Sequence, residues 1–224
     1  FGFNAIFLQQ HVQWKILVGL RLVWSIFLMF LAIAVLSFIP QEVDFGFTPL
    51  VRFGVILFVP TIFLQAMITT ANAIFQKEAR YDRATLALFA GSLVTVLVLV
   101  LYVLSPLSSM GMIGTLIIVS LGTLVTAVCA MGLVKRYVTF DIAFSFSEMV
   151  SLLAGALPLG LTLMFNLVYF RFDSLLLSLT RPTVEVGLYG FAYKFFEFVI
   201  AIPTFYMNAV YPKLLRIESR PKRS

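Results

Sequence analysis

Four ionisable side chains, Arg171, Asp173, Lys194 and Glu197, lie inside two long apolar runs between Leu157 and Pro212. A short polar turn, Thr180 to Glu185, joins the runs. A charge at bilayer depth costs at least ~2.5–3.5 kcal/mol on insertion scales, so such residues line a pathway or pair with one another. Arg171 and Lys194 are the residue types that hold phosphate or acidic sugar, Arg through its planar fork and Lys as a point charge. Asp173 and Glu197 either balance those cations or act as coupling carboxylates for H⁺ or Na⁺.

Helical geometry sorts these groups further. At 100° per residue, Thr162, Asn166, Tyr169 and Asp173 share one face, while Arg171 points some 200° away from Asp173 and must find a different partner unless Pro158 or Gly160 distorts the helix. In the next run Gly187, Gly190, Lys194, Glu197, Ala201, Thr204 and Asn208 form a small-and-polar stripe that cannot face lipid. At ~1.5 Å per residue, Lys194 sits level with Arg171 and Asp173, roughly 9–12 Å in from the turn. The spacing therefore predicts a Lys194–Asp173 contact across the hairpin and a Lys194–Glu197 pair at i, i+3. Thr61, Gln65, Thr69, Asn72 and Gln76 form a weaker polar face near Pro60, and Gly111, Thr115, Gly122, Thr126 and Cys129 a small one. Asn166, Asn208, Gln65 and Asn72 join Arg171 and Lys194 as candidate cavity residues.

The elements that must position these groups are membrane spans. The chain is 61% hydrophobic and only 12% charged, with a mean hydropathy of +1.04; soluble domains carry roughly 25% charge. The hydropathy pattern predicts an all-α polytopic membrane protein with six transmembrane helices, at about 16–39, 47–75, 84–104, 110–134, 150–179 and 186–212. Each offers the roughly 20 apolar residues that a bilayer requires. Arg21, with Trp14 and Trp24, reads as an interfacial group that snorkels to the headgroups. The loop 135–149, with Tyr137, Val138, Phe140, Ile142, Phe144 and Phe146, reads as a segment on the interface. His11 reads as a solvated loop residue and Cys129 as inert packing.

Twelve of the sixteen Lys and Arg fall in alternate loops. By the positive-inside rule both ends of the chain are expected in the cytoplasm. The net charge of +6 is thus a topology signal, and nucleic acid is not an expected partner. The opening FGFNAIFLQQ carries neither an initiator Met nor a charged leader, and the expectation is an internal segment of a longer protein.

The stretch FRFDSLLLSLTRPTVEVGLYGFAYKFFEFVIAIPTFYMNAVYPKLLR resembles the seventh and eighth helices of polysaccharide (O-antigen type) flippases, of the multidrug/oligosaccharidyl-lipid/polysaccharide exporter superfamily. The matching features are the Arg-x-Asp of Arg171 and Asp173, the Glu-Val-Gly-x-Tyr of Glu185 to Tyr189, the Lys-x-x-Glu of Lys194 to Glu197, and Tyr211-Pro212. The opening segment is similar to the end of the family's second helix. The resemblance implies that residues 1–149 end the second helix and supply helices three to six of an N-terminal lobe. Residues 150–224 would then be helices seven and eight, the start of a C-terminal lobe, in a two-lobed exporter of twelve to fourteen helices. It implies a non-enzymatic, multi-pass flippase of the inner (cytoplasmic) membrane. Such a protein carries polyprenyl-pyrophosphate-linked oligosaccharide by alternating access, amid membrane lipid and polysaccharide assembly enzymes.

The sequence contains no nucleotide-binding loop, HExxH, nucleophile elbow or Cys/His metal spacing, so no metal and no cofactor beyond H⁺ or Na⁺ coupling is expected. Two alternatives remain. One is a cation-coupled multidrug antiporter of the same superfamily, which a cavity rich in Arg and Lys disfavours. The other is a membrane polysaccharide polymerase or glycosyltransferase, which the short outer loops disfavour.

Overall fold

Long apolar segments have one stable option in lipid, because each backbone N–H and C=O must be satisfied within its own segment. The computed structural model describes residues 3, 4, 7, 13–39, 48–106, 111–138 and 143–218, without the side chains of 201 and 204–218. Its order is α1 (Trp14–Phe38), α2 (Pro49–Phe58), α3 (Thr61–Lys77), α4 (Tyr81–Leu104), α5 (Gly111–Val134), α6 (Phe146–Thr180) and α7 (Thr183–Glu218), with no strand among the described residues. Five spans are long and apolar enough to cross a membrane: α1, α2 with α3, α4, α5 and α6. The sixth long helix, α7, runs 36 residues. The chain is an all-α multi-pass membrane protein. The expected loop 41–46, His11, Phe140 and Ile142 lie outside the described residues.

The second expected span is two helices in series. Pro60 has no N–H to give to Ile56 O, so the ladder stops at Val59, whose own N–H reaches Val55 O at 3.0 Å. It restarts from Pro60, whose carbonyl accepts from Phe63 N at 3.1 Å. Pro158 leaves α6 unbroken, and the Thr162 hydroxyl donates to the Pro158 carbonyl at 2.9 Å.

The turn between α3 and α4 is shorter than the charged stretch 76–83 implied. Ala79, at φ 53°, occupies the left-handed position that usually holds glycine at a helix C-terminus. Arg80 N donates to Phe75 O at 2.8 Å and Ala79 N to Gln76 O at 3.2 Å, completing a Schellman motif. Arg80 then grips Asp82 through Nε (3.0 Å) and Nη2 (2.9 Å) at the start of α4, where the helix dipole favours a carboxylate. That hydrogen-bonded carboxylate pushes the exposed Arg80 guanidinium further up from its ordinary value.

The described residues up to Phe170 form one compact unit and those from Arg171 onward a second. In the first unit the tightest pairing is α4 on α5, followed by α3 on α5 and α1 on α3. The core lies at one end of these helices, where Leu17 and Val18 of α1 meet Ile74 and Phe75 of α3, Ala87 of α4, and Ala130, Met131 and Val134 of α5. Elsewhere the helices present apolar surface outward, as at Phe30, Phe38, Leu101 and Val103. Lipid tails are as apolar as these side chains, so the bundle is held by close packing and hydrogen bonds more than by exclusion of water.

The α4–α5 seam shows how. A Cβ on Gly91 would collide with Thr126 Oγ1 and with Gly122 O at 2.6 Å. A Cβ on Gly122 would in turn collide with Thr95 Oγ1. Each helix thus contributes a glycine and a threonine four residues later, and each threonine fills the gap left by the other helix's glycine. Both hydroxyls donate back into their own helix, Thr95 to Gly91 O at 2.9 Å and Thr126 to Gly122 O at 3.0 Å. Of the small face expected on the fourth span, Gly122 and Thr126 form this seam, while an added Cβ on Gly111 would meet nothing, Thr115 is exposed and Cys129 packs against the core. Tyr137 and Val138 of the expected interfacial loop pack on the core instead, while Phe144 and Phe146 are exposed.

Candidate functional site

In the second unit the connection is only Arg181 and Pro182, shorter than the turn 180–185 predicted, and Arg181 N still donates to Leu177 O at 2.9 Å. So tight a turn brings the last ten residues of α6 back along the first half of α7. The four candidate charges meet there, with a pairing that the sequence did not predict.

Arg171 Nη2 donates to Glu197 Oε1, and Lys194 Nζ reaches Glu197 Oε2 at 2.7 Å. Two cations therefore share one carboxylate. The guanidinium also lies 4.9 Å from the centre of the Tyr193 ring, a cation–π geometry. Asp173 does not meet Lys194: it accepts from the Tyr189 hydroxyl and from Ser174 N at 2.7 Å. The expected Lys194–Asp173 contact is thus replaced, because Tyr189 reaches Asp173 first and Glu197 holds Lys194 one turn away on α7. The predicted i, i+3 pair of Lys194 and Glu197 is present. The argument that Arg171 must find a partner other than Asp173 also holds.

The cluster is open. Side-chain exposure is 46% for Arg171, 33% for Glu197 and 71% for Lys194. Tyr189, Tyr193 and Phe196 stack along α7 with ring centres 6.0 and 5.7 Å apart, giving the charges an aromatic wall. Arg171 and Lys194 exceed Glu197 by one positive charge, which Asp173, held by Tyr189, balances within the hairpin. An incoming anion can take Lys194 from Glu197 while Arg171 keeps its own hold. In the sequence reading Tyr189 stands only as the end of the Glu-Val-Gly-x-Tyr feature, and Tyr193 has no part. Their spacing at i and i+4, on the face that carries Glu197 one turn further, was the available signal.

The remaining candidates separate. Asn166 is exposed on α6 and has no side-chain hydrogen bond among the described residues. Asn208 lies in α7 with its side chain outside the described residues. Gln65 lines a cavity of about 350 Å³ in the first unit, together with Thr61, Thr69, Ser25 and Arg21. Asn72 is half-buried on α3 and is not part of that lining.

Arg21 corrects the interfacial reading. It lies seven residues into α1, roughly 10 Å from the helix start, and is 5% exposed. Its Nη1 donates to Thr70 Oγ1 at 3.1 Å and its Nη2 to Asn4 Oδ1, while Asn4 Nδ2 donates to Gln76 Oε1 at 3.4 Å. Its side chain turns sideways because the Thr70 hydroxyl on α3 and the Asn4 amide oxygen, ahead of α1, accept from it. Trp14 is likewise buried in the core, its Nε1 without a partner among the described residues. Trp24 is half-buried and stacks on Phe27 at 5.3 Å.

Among the described residues no group of His, Cys, Asp and Glu is placed to hold a metal. No curated protein and no solved structure matches the chain. A family model described as "Polysaccharide biosynthesis protein" matches residues 1–218, nearly the whole sequence, and on that match the chain belongs to the polysaccharide biosynthesis protein family.

Proposed function

We propose that the protein is a flippase that carries polyprenyl-pyrophosphate-linked oligosaccharide across the cytoplasmic membrane by alternating access. The observation that carries this reading is the shared carboxylate: Arg171 and Lys194 both rest on Glu197, and the more exposed Lys194 is free to move to a ligand oxyanion. Phosphate and acidic sugar suit that pair, since Arg offers a fork and Lys a mobile point charge. The aromatic wall of Tyr189, Tyr193 and Phe196 gives sugar rings a surface to lie on.

On this reading the protein moves its substrate without making or breaking bonds in it, and is not an enzyme. Residues 1–149 belong to an N-terminal lobe and 150–224 begin a C-terminal one, with both ends of the segment in the cytoplasm. Polysaccharide assembly enzymes supply the substrate and consume it after transfer. Asp173 and Glu197 serve as charge balance, or as the site of H⁺ or Na⁺ coupling. Asp173 balances the hairpin's four charges to zero, so it is the meeting of two cations at Glu197, and not a net charge, that works against a cationic drug and makes the antiporter reading the weaker one.

The test is complementation. The intact gene is placed in a bacterial strain that lacks its own polysaccharide flippase, and surface glycan and accumulated lipid-linked precursor are measured. Restored glycan with loss of precursor is the expected result. Correct insertion with no rescue across several glycan types, joined to measurable drug efflux, would replace this reading with the antiporter.

A further inference from the structure

Among the described residues Arg21 is the one buried charge. Its two hydrogen-bond partners, Thr70 and Asn4, are neutral. No carboxylate among the described residues pairs with it. Arginine stays protonated in proteins and brings five N–H donors, of which these partners take two. A buried cation without a counter-ion is a poor arrangement in a low-dielectric interior, and an anion is the complement that such a site lacks.

The surroundings have room for one. Arg21 lines the cavity of about 350 Å³ and also a second of about 80 Å³, whose wall includes Thr70 and Met131. The larger volume falls in the range of small-ligand sites. Arg21 and the Gln65 amide are polar parts of the lining, and Trp24, Leu28 and Ile62 supply apolar surface. The Ser25 and Thr69 hydroxyls donate to carbonyls of their own helices and the Thr61 hydroxyl to Phe58 O at the end of α2, which leaves Arg21, Gln65 and the Trp24 indole N–H as the groups able to donate to a ligand.

We propose that this cavity binds an amphiphilic oxyanion: a phosphate or pyrophosphate head held by Arg21, with an apolar tail along Trp24, Leu28 and Ile62. The site is built from α1 and α3 and does not depend on the transport reading of the α6–α7 cluster. Two occupants share the chemistry, an anionic phospholipid of the bilayer and a polyprenyl-linked pyrophosphate.

The test uses the intact protein in neutral detergent with dodecyl phosphate as probe and dodecylphosphocholine, of equal tail and zero net charge, as control. Dodecyl phosphate is expected to bind at least about tenfold tighter than the control, a difference that a single charge-assisted contact supplies. Measured in an Arg171→Gln, Lys194→Gln background, so that the α6–α7 cluster does not contribute, Arg21→Gln, which keeps a donor amide for Thr70 and Asn4, is expected to remove that preference, and Arg52→Gln, on α2 outside the cavity lining, to leave it intact. An unchanged preference in Arg21→Gln overturns the proposal. A dodecyl phosphate with a photoreactive tail tests the unaltered protein independently of any variant's folding. Labelling at Trp24, Leu28 or Ile62 supports the site, and labelling confined to other segments overturns it. Competition by phosphatidylglycerol vesicles identifies a bilayer lipid as the occupant, and competition by polyprenyl pyrophosphate alone identifies the lipid-linked one.

Discussion

Arg171 and Glu197 are paired across a hairpin although 26 residues of chain separate them, and Lys194 closes on the same carboxylate from one turn away on its own helix. Neither cation has Glu197 to itself. The arrangement fixes the geometry of Arg171, which has both the carboxylate and the Tyr193 ring, and leaves Lys194 the more mobile of the two.

The division of labour between the cations is testable in glycan export. Arg171→Ala and Lys194→Ala are each expected to lower surface polysaccharide by about tenfold or more, with the protein still inserted. Arg171→Lys is expected to recover little, since it loses both the fork and the ring stacking. Wild-type glycan in both alanine variants, measured beside membrane abundance, would remove the cluster from the substrate path.

Tyr189 and Asp173 act as one unit. Tyr189→Phe and Asp173→Ala each remove their hydrogen bond, and the double variant is expected to lose no more activity than the worse single variant. Additive losses in a double-mutant cycle on the export rate would mean that the two residues work separately.

The α4–α5 seam has no room for a side chain at Gly122. Gly122→Ala is expected to destabilise the protein by about 1–3 kcal/mol, the usual range for overpacking. Adding Thr95→Ala removes the hydroxyl that the new methyl meets, and is expected to restore part of that loss. Thermal denaturation in detergent reads both, and no recovery in the double variant would place the clash elsewhere.

Ala79 offers the opposite sign. A non-glycine residue in the left-handed region costs roughly 1–2 kcal/mol, offset in part by the greater backbone freedom of glycine in the unfolded chain. Ala79→Gly is therefore expected to raise stability by up to about 1 kcal/mol at the end of α3. A lower melting temperature would show that the turn is not strained.

Hydropathy made the spans legible, because twenty consecutive apolar residues leave the backbone little choice but a helix. The same signal could not fix interruptions or rotations. Pro60 was visible as a mid-span proline, but its division of the span into α2 and α3 depends on the ladder bond it removes. Arg21 was assigned to the interface from its place near a helix end; its burial depends on Thr70 and Asn4, which are distant in sequence. In the hairpin, residue spacing along each helix gave Lys194–Glu197 and excluded Arg171–Asp173. The pairing across it did not follow, since Tyr189 reaches further than its position on the helix implies, and helix rotation about the two-residue turn decides which groups face each other.

The reciprocal fit of Gly91 with Thr126 and of Gly122 with Thr95 has a mechanical consequence. A keyed joint of this kind sets the two helices in register: sliding α4 along α5 by one residue would drive a Cβ into backbone or threonine at both contact points. These two helices are therefore expected to travel as a single rigid rod in any rearrangement, so that flexing falls to joints without such a key, the break at Val59–Pro60 among them.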